Sequence, residues 1–92
     1  MAAYVVVTMA TKSPEHLQRY AVLAPKTLAP FGGQVLIKAR PDALHGEPDH
    51  DSMLLIAFPD AQQANDWYRS ADYQALIPLR NEGMASRFLL LA

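Results

Sequence analysis

Apolar residues fall into short blocks with two different periods, and the periods predict the elements. Residues 3–10, "AYVVVTMA", are apolar and β-branched and predict a strand. Val5, Val7 and Met9 share one face, and Tyr4, Val6 and Thr8 share the other. An apolar run on both faces predicts a central strand. Residues 53–58, "MLLIAF", repeat that pattern and predict a second central strand. In "QVLIKAR", 34–40, the charges Lys38 and Arg40 alternate onto one face with Leu36, while Val35 and Ile37 take the other. Charge on one face suits an edge strand. "RFLLL", 87–91, predicts the last strand.

Two stretches carry the helical period instead. Ser13-Pro14-Glu15 combines an N-cap, a proline at the first helical position and an acid near the positive end of the dipole. Leu17, Tyr20, Ala21, Ala24, Leu28 and Phe31 follow at helical spacing. Pro25 removes one backbone donor and predicts a kink or restart, and Gly32-Gly33 predicts the end. Asp60 caps a second helix, in which Ala61, Ala64, Tyr68 and Ala71 form one stripe with Trp67 beside it. "ADYQALIPLR", 71–80, predicts two short helical turns in tandem. Asp72 caps the first, Pro78 opens the second, and Tyr73, Leu76 and Ile77 dock them on one end of the sheet.

The order βαββαβ predicts an α+β, ferredoxin-like domain spanning residues 1–92. Right-handed crossovers then give a four-stranded antiparallel sheet with both helices on one face. The other face is left bare although it too is apolar. Composition sharpens this point: 51% of residues are hydrophobic and only 18% are charged. A bare apolar face of this size is best buried against a second copy, so the expected partner is a homodimer formed through the helix-free face.

Net charge is −1 and there is no cysteine. Disulfides and thiolate metal sites are thereby excluded. RNA-recognition modules share this element order but need basic and aromatic residues on the central strands, and these carry no Lys or Arg, so no nucleic-acid partner is expected. No apolar run approaches the roughly 18 residues of a membrane span, so no membrane partner is expected. The opening "MAAYVVVTMATK" has neither the basic region nor the long apolar core of a signal peptide, and the expected location is cytoplasmic.

Several ordered marks resemble the domain of unknown function 1330 family, of the dimeric α/β-barrel superfamily. They are "YVVV" at 4–7, Tyr20 followed by Ala24-Pro25, Phe31-Gly32-Gly33, "FPDAQQANDWYRS" at 58–70 and "YQALIPLR" at 73–80. The resemblance implies a dimeric α/β-barrel. It also implies a basic residue near position 38, where Lys38 stands, and another just after the glycine pair, where this chain has Gln34. Related dimeric barrels include cofactor-free monooxygenases, isomerases and haem enzymes, so the resemblance implies no single reaction.

Candidate chemistry lies in three places. His45, Glu47, Asp49, His50 and Asp51 form the densest ligand-type cluster, but prolines and a glycine surround them. A solvated loop is the expectation and no metal site is assigned; His45 is kept as a proton acceptor near neutral pH. His16 is expected to be exposed. Arg80 closes the tandem turns, where a guanidinium either pairs with a carboxylate such as Glu82 or clamps an anionic ligand. Tyr4, Tyr20, Trp67, Tyr68 and Tyr73 each join an apolar body to one hydrogen-bonding tip.

The expected catalytic set is Arg80, His45 and Tyr73, and the expected ligand-binding set is Tyr4, Tyr20, Lys38 and Trp67, with no metal or other cofactor. The function that follows is binding of a small, partly apolar anionic molecule by a homodimer, with metal-free acid–base chemistry on it as one use of the site. A non-catalytic binding or structural dimer is the alternative. A haem or metal enzyme is the weaker one, resting on His45 and His50.

Overall fold

The computed structural model describes residues 2–92. The β-branched opening run forms β1 (Ala3–Thr11), which pairs antiparallel with two neighbours, β3 (Ser52–Phe58) and β4 (Met84–Leu91). β2 (Gln34–Ala39) lies outside β3, so the sheet order is β2-β3-β1-β4. The two strands with apolar residues on both faces are central, and the strand bearing Lys38 is an edge. This is the ferredoxin-like α+β fold, with every helix on one side.

α1 (Pro14–Leu28) starts where Ser13 accepts the backbone N–H of His16, at 3.5 Å. Pro25 does not restart it: the helix runs on to Leu28. Pro25 stands in the last turn, where its missing N–H deprives only the Ala21 carbonyl of a partner. A single 3₁₀ turn, Ala29–Phe31, follows, and Gly32 then takes the left-handed conformation (φ 69°) that reverses the chain. α2 (Ala61–Arg69) starts at Asp60, whose carboxylate accepts Gln63 N–H at 2.8 Å. Its buried residues are Ala64 and Trp67; Tyr68 lies half-buried at the border.

Register sorts the side chains. Val5 lies opposite Ile56 and Leu90, and Val7 opposite Leu54 and Phe88, so these share the helix-covered face with Met9. Val6 lies opposite Leu55 and Leu89, and Tyr4 opposite Ala57 and Leu91, on the helix-free face. Two sequence expectations fail at the strand level. A β-bulge between Val35 and Ile37 absorbs Leu36 and breaks strict alternation in β2. Lys38 therefore sits with Val35 over Leu54 and Ile56, on the helix side, while Ile37 joins Leu55 on the other. β4 also begins at Met84, not at 87, because β1 extends to Thr11 and offers it a partner.

The tandem turns are present as α3 (Ala71–Gln74) and α4 (Ile77–Gly83). Ser70, not Asp72, caps the first: its hydroxyl accepts Tyr73 N–H at 3.3 Å while donating to the Trp67 carbonyl at 2.7 Å. Pro78 opens α4 as expected. α4 lies along α1. Gly83 allows this approach, since a Cβ there would stand 2.7 Å from the backbone nitrogen of Leu17. Its carbonyl accepts the N–H groups of Lys12 and Ser13.

The loop between β2 and β3 is exposed over most of its length. Its end bends onto the helix-free face, where His50 Nδ1 lies 2.9 Å from Thr8 Oγ1 and Asp49 pairs with Arg87 at 2.8 Å.

Candidate functional site

The local sequence between α2 and β4 wraps three polar tips around one point. Tyr68 lies in the last turn of α2, Tyr73 in α3 and Arg80 in α4. Arg80 Nη1 donates to Tyr68 Oη at 3.0 Å and to Tyr73 Oη at 3.2 Å. Tyr73 Oη lies 2.7 Å from Tyr20 Oη, which reaches in from α1. The result is one continuous hydrogen-bonded chain, Tyr20–Tyr73–Arg80–Tyr68. Phe88 of β4 lies beneath the guanidinium, with Cζ 4.8 Å from its ring centroid, a distance at which the ring quadrupole attracts the cation.

The aromatic bodies fill the space behind these tips. Trp67 stacks at 4.4 Å from Tyr73, and Tyr68 at 5.3 Å. Trp67 is 2% exposed and Tyr73 not at all. Trp67 Nε1 donates to Thr27 Oγ1 at 2.9 Å, and Thr27 in turn donates to the Ala24 carbonyl at 2.7 Å, tying α2 to α1. No described buried side-chain nitrogen or oxygen lacks a partner.

Burial sets the ionisation. It raises the Tyr20 phenol far above its ordinary range, and the neighbouring Tyr73 adds to this. Burial likewise raises Tyr73, although its bonds to Tyr20 and Arg80 act the other way. For Arg80, burial favours the neutral form, but the two phenol acceptors outweigh it and hold the cation.

Arg80 has no carboxylate partner among the described residues. Glu82 pairs instead with His16, Nε2 to Oε2 3.0 Å, so that histidine is half-buried and partnered, not exposed. The weaker donor Nε reaches Asn81 Oδ1 at 3.4 Å, and Nη2 has no protein acceptor among the described residues. Arg80 opens onto a cleft of about 790 Å³ between α2 and β4, lined also by Tyr68, Trp67, Gln74, Ser86 and Phe88. A second, smaller cavity of about 230 Å³ lies under α1, lined by Tyr20, Leu28, Lys38, Leu54, Met84 and the inner side of Trp67.

The predicted site residues thus divide. Arg80, Tyr73 and Tyr20 are brought together. Trp67 walls both cavities, and Lys38 reaches the second because of the bulge. Tyr4 lies on the opposite face of the sheet, since β1 alternates and Tyr4 is out of phase with Val5. His45 is exposed on the loop and lines neither cavity. Among the described residues no three His, Cys, Asp or Glu side chains gather where they could hold a metal ion. Phe88 is a site residue that sequence reasoning missed, and Tyr68, noted there only as an aromatic with a polar tip, was not placed in the site. No spacing flags them, because they meet Arg80 only after the tandem turns fold back.

Residues 2–92 match the family described as "Domain of unknown function (DUF1330)". The chain belongs to that family. Among curated proteins none matches it. Several solved structures share the fold at low identity. A protein of unknown function from Rhodopseudomonas palustris is 15% identical, with a TM-score of 0.79 and 98% of this chain and 80% of that chain covered. SnoaB of Streptomyces nogalater, described as a cofactor-independent oxygenase, is 9% identical, with a TM-score of 0.71 and 99% and 91% covered. A dabb family protein with a ferredoxin-like fold from Mesorhizobium loti is 15% identical, with a TM-score of 0.70 and 99% and 95% covered. These show that the DUF1330 chain shares the ferredoxin-like α+β fold. No helix of the described residues is long and apolar enough to cross a membrane.

Proposed function

We propose that this DUF1330 chain binds a small, partly apolar anion, with a carboxylate or enolate oxygen on Arg80 and Tyr68 and the apolar body against Trp67 and Phe88. The observation that carries the reading is the donor surplus at Arg80. A half-buried guanidinium is held in place by two phenols that cannot neutralise it, its Nη2 faces no protein acceptor, and it borders a cleft. A preorganised cation with spare donors is complementary to an oxyanion. SnoaB offers a precedent for chemistry without a cofactor on this scaffold. If a substrate ionises here, Arg80 stabilises the developing oxyanion, and the Tyr68 hydroxyl at the cleft wall is the nearest proton source. Neither His45 nor Tyr4 has a part in this site.

Trp67 is the only tryptophan and lines the cleft, so its fluorescence reports occupancy. Titration with benzoate should perturb it saturably. Arg80→Gln should weaken binding by about tenfold or more, the range for a lost charge-assisted hydrogen bond. Equal benzoate affinity in wild type and Arg80→Gln would refute the reading.

We further propose that two copies assemble through the helix-free face. Tyr4, Ile37, Leu89 and Leu91 are its exposed apolar residues, and a sheet-to-sheet contact would bury them.

A further inference from the structure

The cavity under α1 differs from the Arg80 cleft in shape and chemistry. It is smaller, about 230 Å³, and its walls are almost wholly apolar: Val7, Ala24, Leu28, Leu54, Ile56 and Met84 are among them. That is room for one ring, since an apolar cavity of about 150 Å³ takes benzene. Trp67 and Phe88 border both spaces and form the partition between them.

Counting hydrogens shows what polar group belongs inside. The Tyr20–Tyr73 pair has two hydroxyl protons but a single oxygen–oxygen contact, so only one proton is used between them. The remaining neighbour, Arg80 Nη1, is a donor and accepts neither. One phenolic proton of the pair is therefore left over. Tyr73 is fully buried, lines neither cavity and already receives Arg80. A spare proton on it would have nowhere to go. Tyr73 is better placed to accept from Arg80 and donate to Tyr20, which leaves the spare proton on Tyr20. Tyr20 is 8% exposed and lines the cavity under α1. A buried donor without an acceptor is destabilising, and an acceptor brought by a ligand removes that penalty.

We infer that the cavity under α1 is a second ligand site, taking a neutral single-ring molecule with one hydrogen-bond acceptor, such as an aromatic ketone, which accepts from Tyr20. The site is distinct from the anion cleft and does not depend on Arg80 contacting a ligand. The two sites stand back to back across Trp67 and Phe88, with Tyr73 linking their polar ends. An arrangement of this kind suits a neutral molecule and an anion held at the same time.

Methyl-resolved NMR with acetophenone and, separately, benzoate tests this. Acetophenone should shift the methyls of Leu54, Met84 and Ala24, and benzoate should shift groups around Arg80. Tyr20→Phe, which keeps the ring and the packing, should weaken acetophenone binding about tenfold, the upper range for one neutral hydrogen bond. Arg80→Gln should weaken benzoate binding. Toluene, which has the ring but no acceptor, should bind wild type no more tightly than acetophenone binds Tyr20→Phe. Acetophenone shifts confined to the Arg80 cleft, no shifts at all, or equal affinity of toluene and acetophenone for wild type would each overturn the inference.

Discussion

On the helix-covered face of the sheet, Val5, Val7, Met9, Ile56 and Phe58 are buried by the chain's own helices, whereas on the opposite face Tyr4, Ile37, Leu89 and Leu91 stay exposed, the last two by 52% and 53%. Both faces are built by the same four strands from similarly apolar residues. The difference lies in what each can reach. Helices follow β1 and β3, and the right-handedness general to such crossovers sends both to one side. The covered side then holds more than packing: it holds a polar chain that runs from buried Tyr20 to half-buried Tyr68 through Arg80. Among the described residues the uncovered side has side-chain polar contacts only at its end, where Asp49 meets Arg87 and His50 meets Thr8. The proposed small-molecule site thus lies on the face the chain closes by itself, and the proposed assembly surface on the face it leaves open.

The sharpest way to break the covered face is Trp67→Ala. Trp67 touches Phe58, Tyr68, Tyr73 and Phe88 and holds Thr27. Truncation should lower stability by about 3–5 kcal/mol, read by circular dichroism in urea, and in so small a domain this should leave much of the protein unfolded at 37 °C. A loss under about 1 kcal/mol would mean that the cluster is not the structural centre.

The uncovered face should respond through assembly instead. Leu89→Asp with Leu91→Asp places two charges where a second sheet would pack, and the association free energy should fall by several kcal/mol, on the order of the cost of burying an unpaired charge. Sedimentation velocity should show the wild-type dimer replaced by monomer or aggregate. A wild type that sediments as a folded monomer at micromolar concentration would remove the assembly reading of that face.

High pH separates the faces by chemistry. Tyr20 and Tyr73 have raised phenol pKa values in the fold, mainly through burial. The unfolded chain releases those protons near pH 10, where the folded chain keeps them, so the unfolded state binds fewer protons and stability falls as pH rises past about 10. Melting temperature should be level from neutral pH to about 9 and then decline. Tyr20→Phe should decline less steeply over the same alkaline window. Parallel slopes for the two proteins would mean that Tyr20 already titrates near its ordinary value.

The smallest effect is expected at the end of the uncovered face. Asp49→Ala and His50→Ala each remove an exposed or part-exposed contact, and each should change stability by no more than about 0.5–1 kcal/mol in thermal melts. His45→Ala should change it less still.

Local chemistry determined most of the architecture. Two-sided apolar runs marked β1 and β3 as central, Ser13 and Asp60 marked the helix starts, Gly32 marked the reversal, and Pro78 marked the second of the tandem turns. Each of these signals acts over a few residues, through side-chain period or a backbone preference, so each is visible without knowing the rest of the fold. Within the site, Arg80, Tyr73, Tyr20 and Trp67 were legible as residue types with something to offer, but their partners were not. A phenol 53 positions away in the chain meets Tyr73, and Glu82, the nearest acid in sequence to Arg80, turns to His16. A single bulge at Leu36 sent Lys38 to the helix side, and strand alternation sent Tyr4 to the other. Gly83 mattered for an approach to α1 that no local pattern announces. Side-chain type and short-range period are properties of the chain alone. The direction a side chain finally takes, and the atom it finds there, depend on which distant element packs beside it to satisfy its polar tip and bury its body.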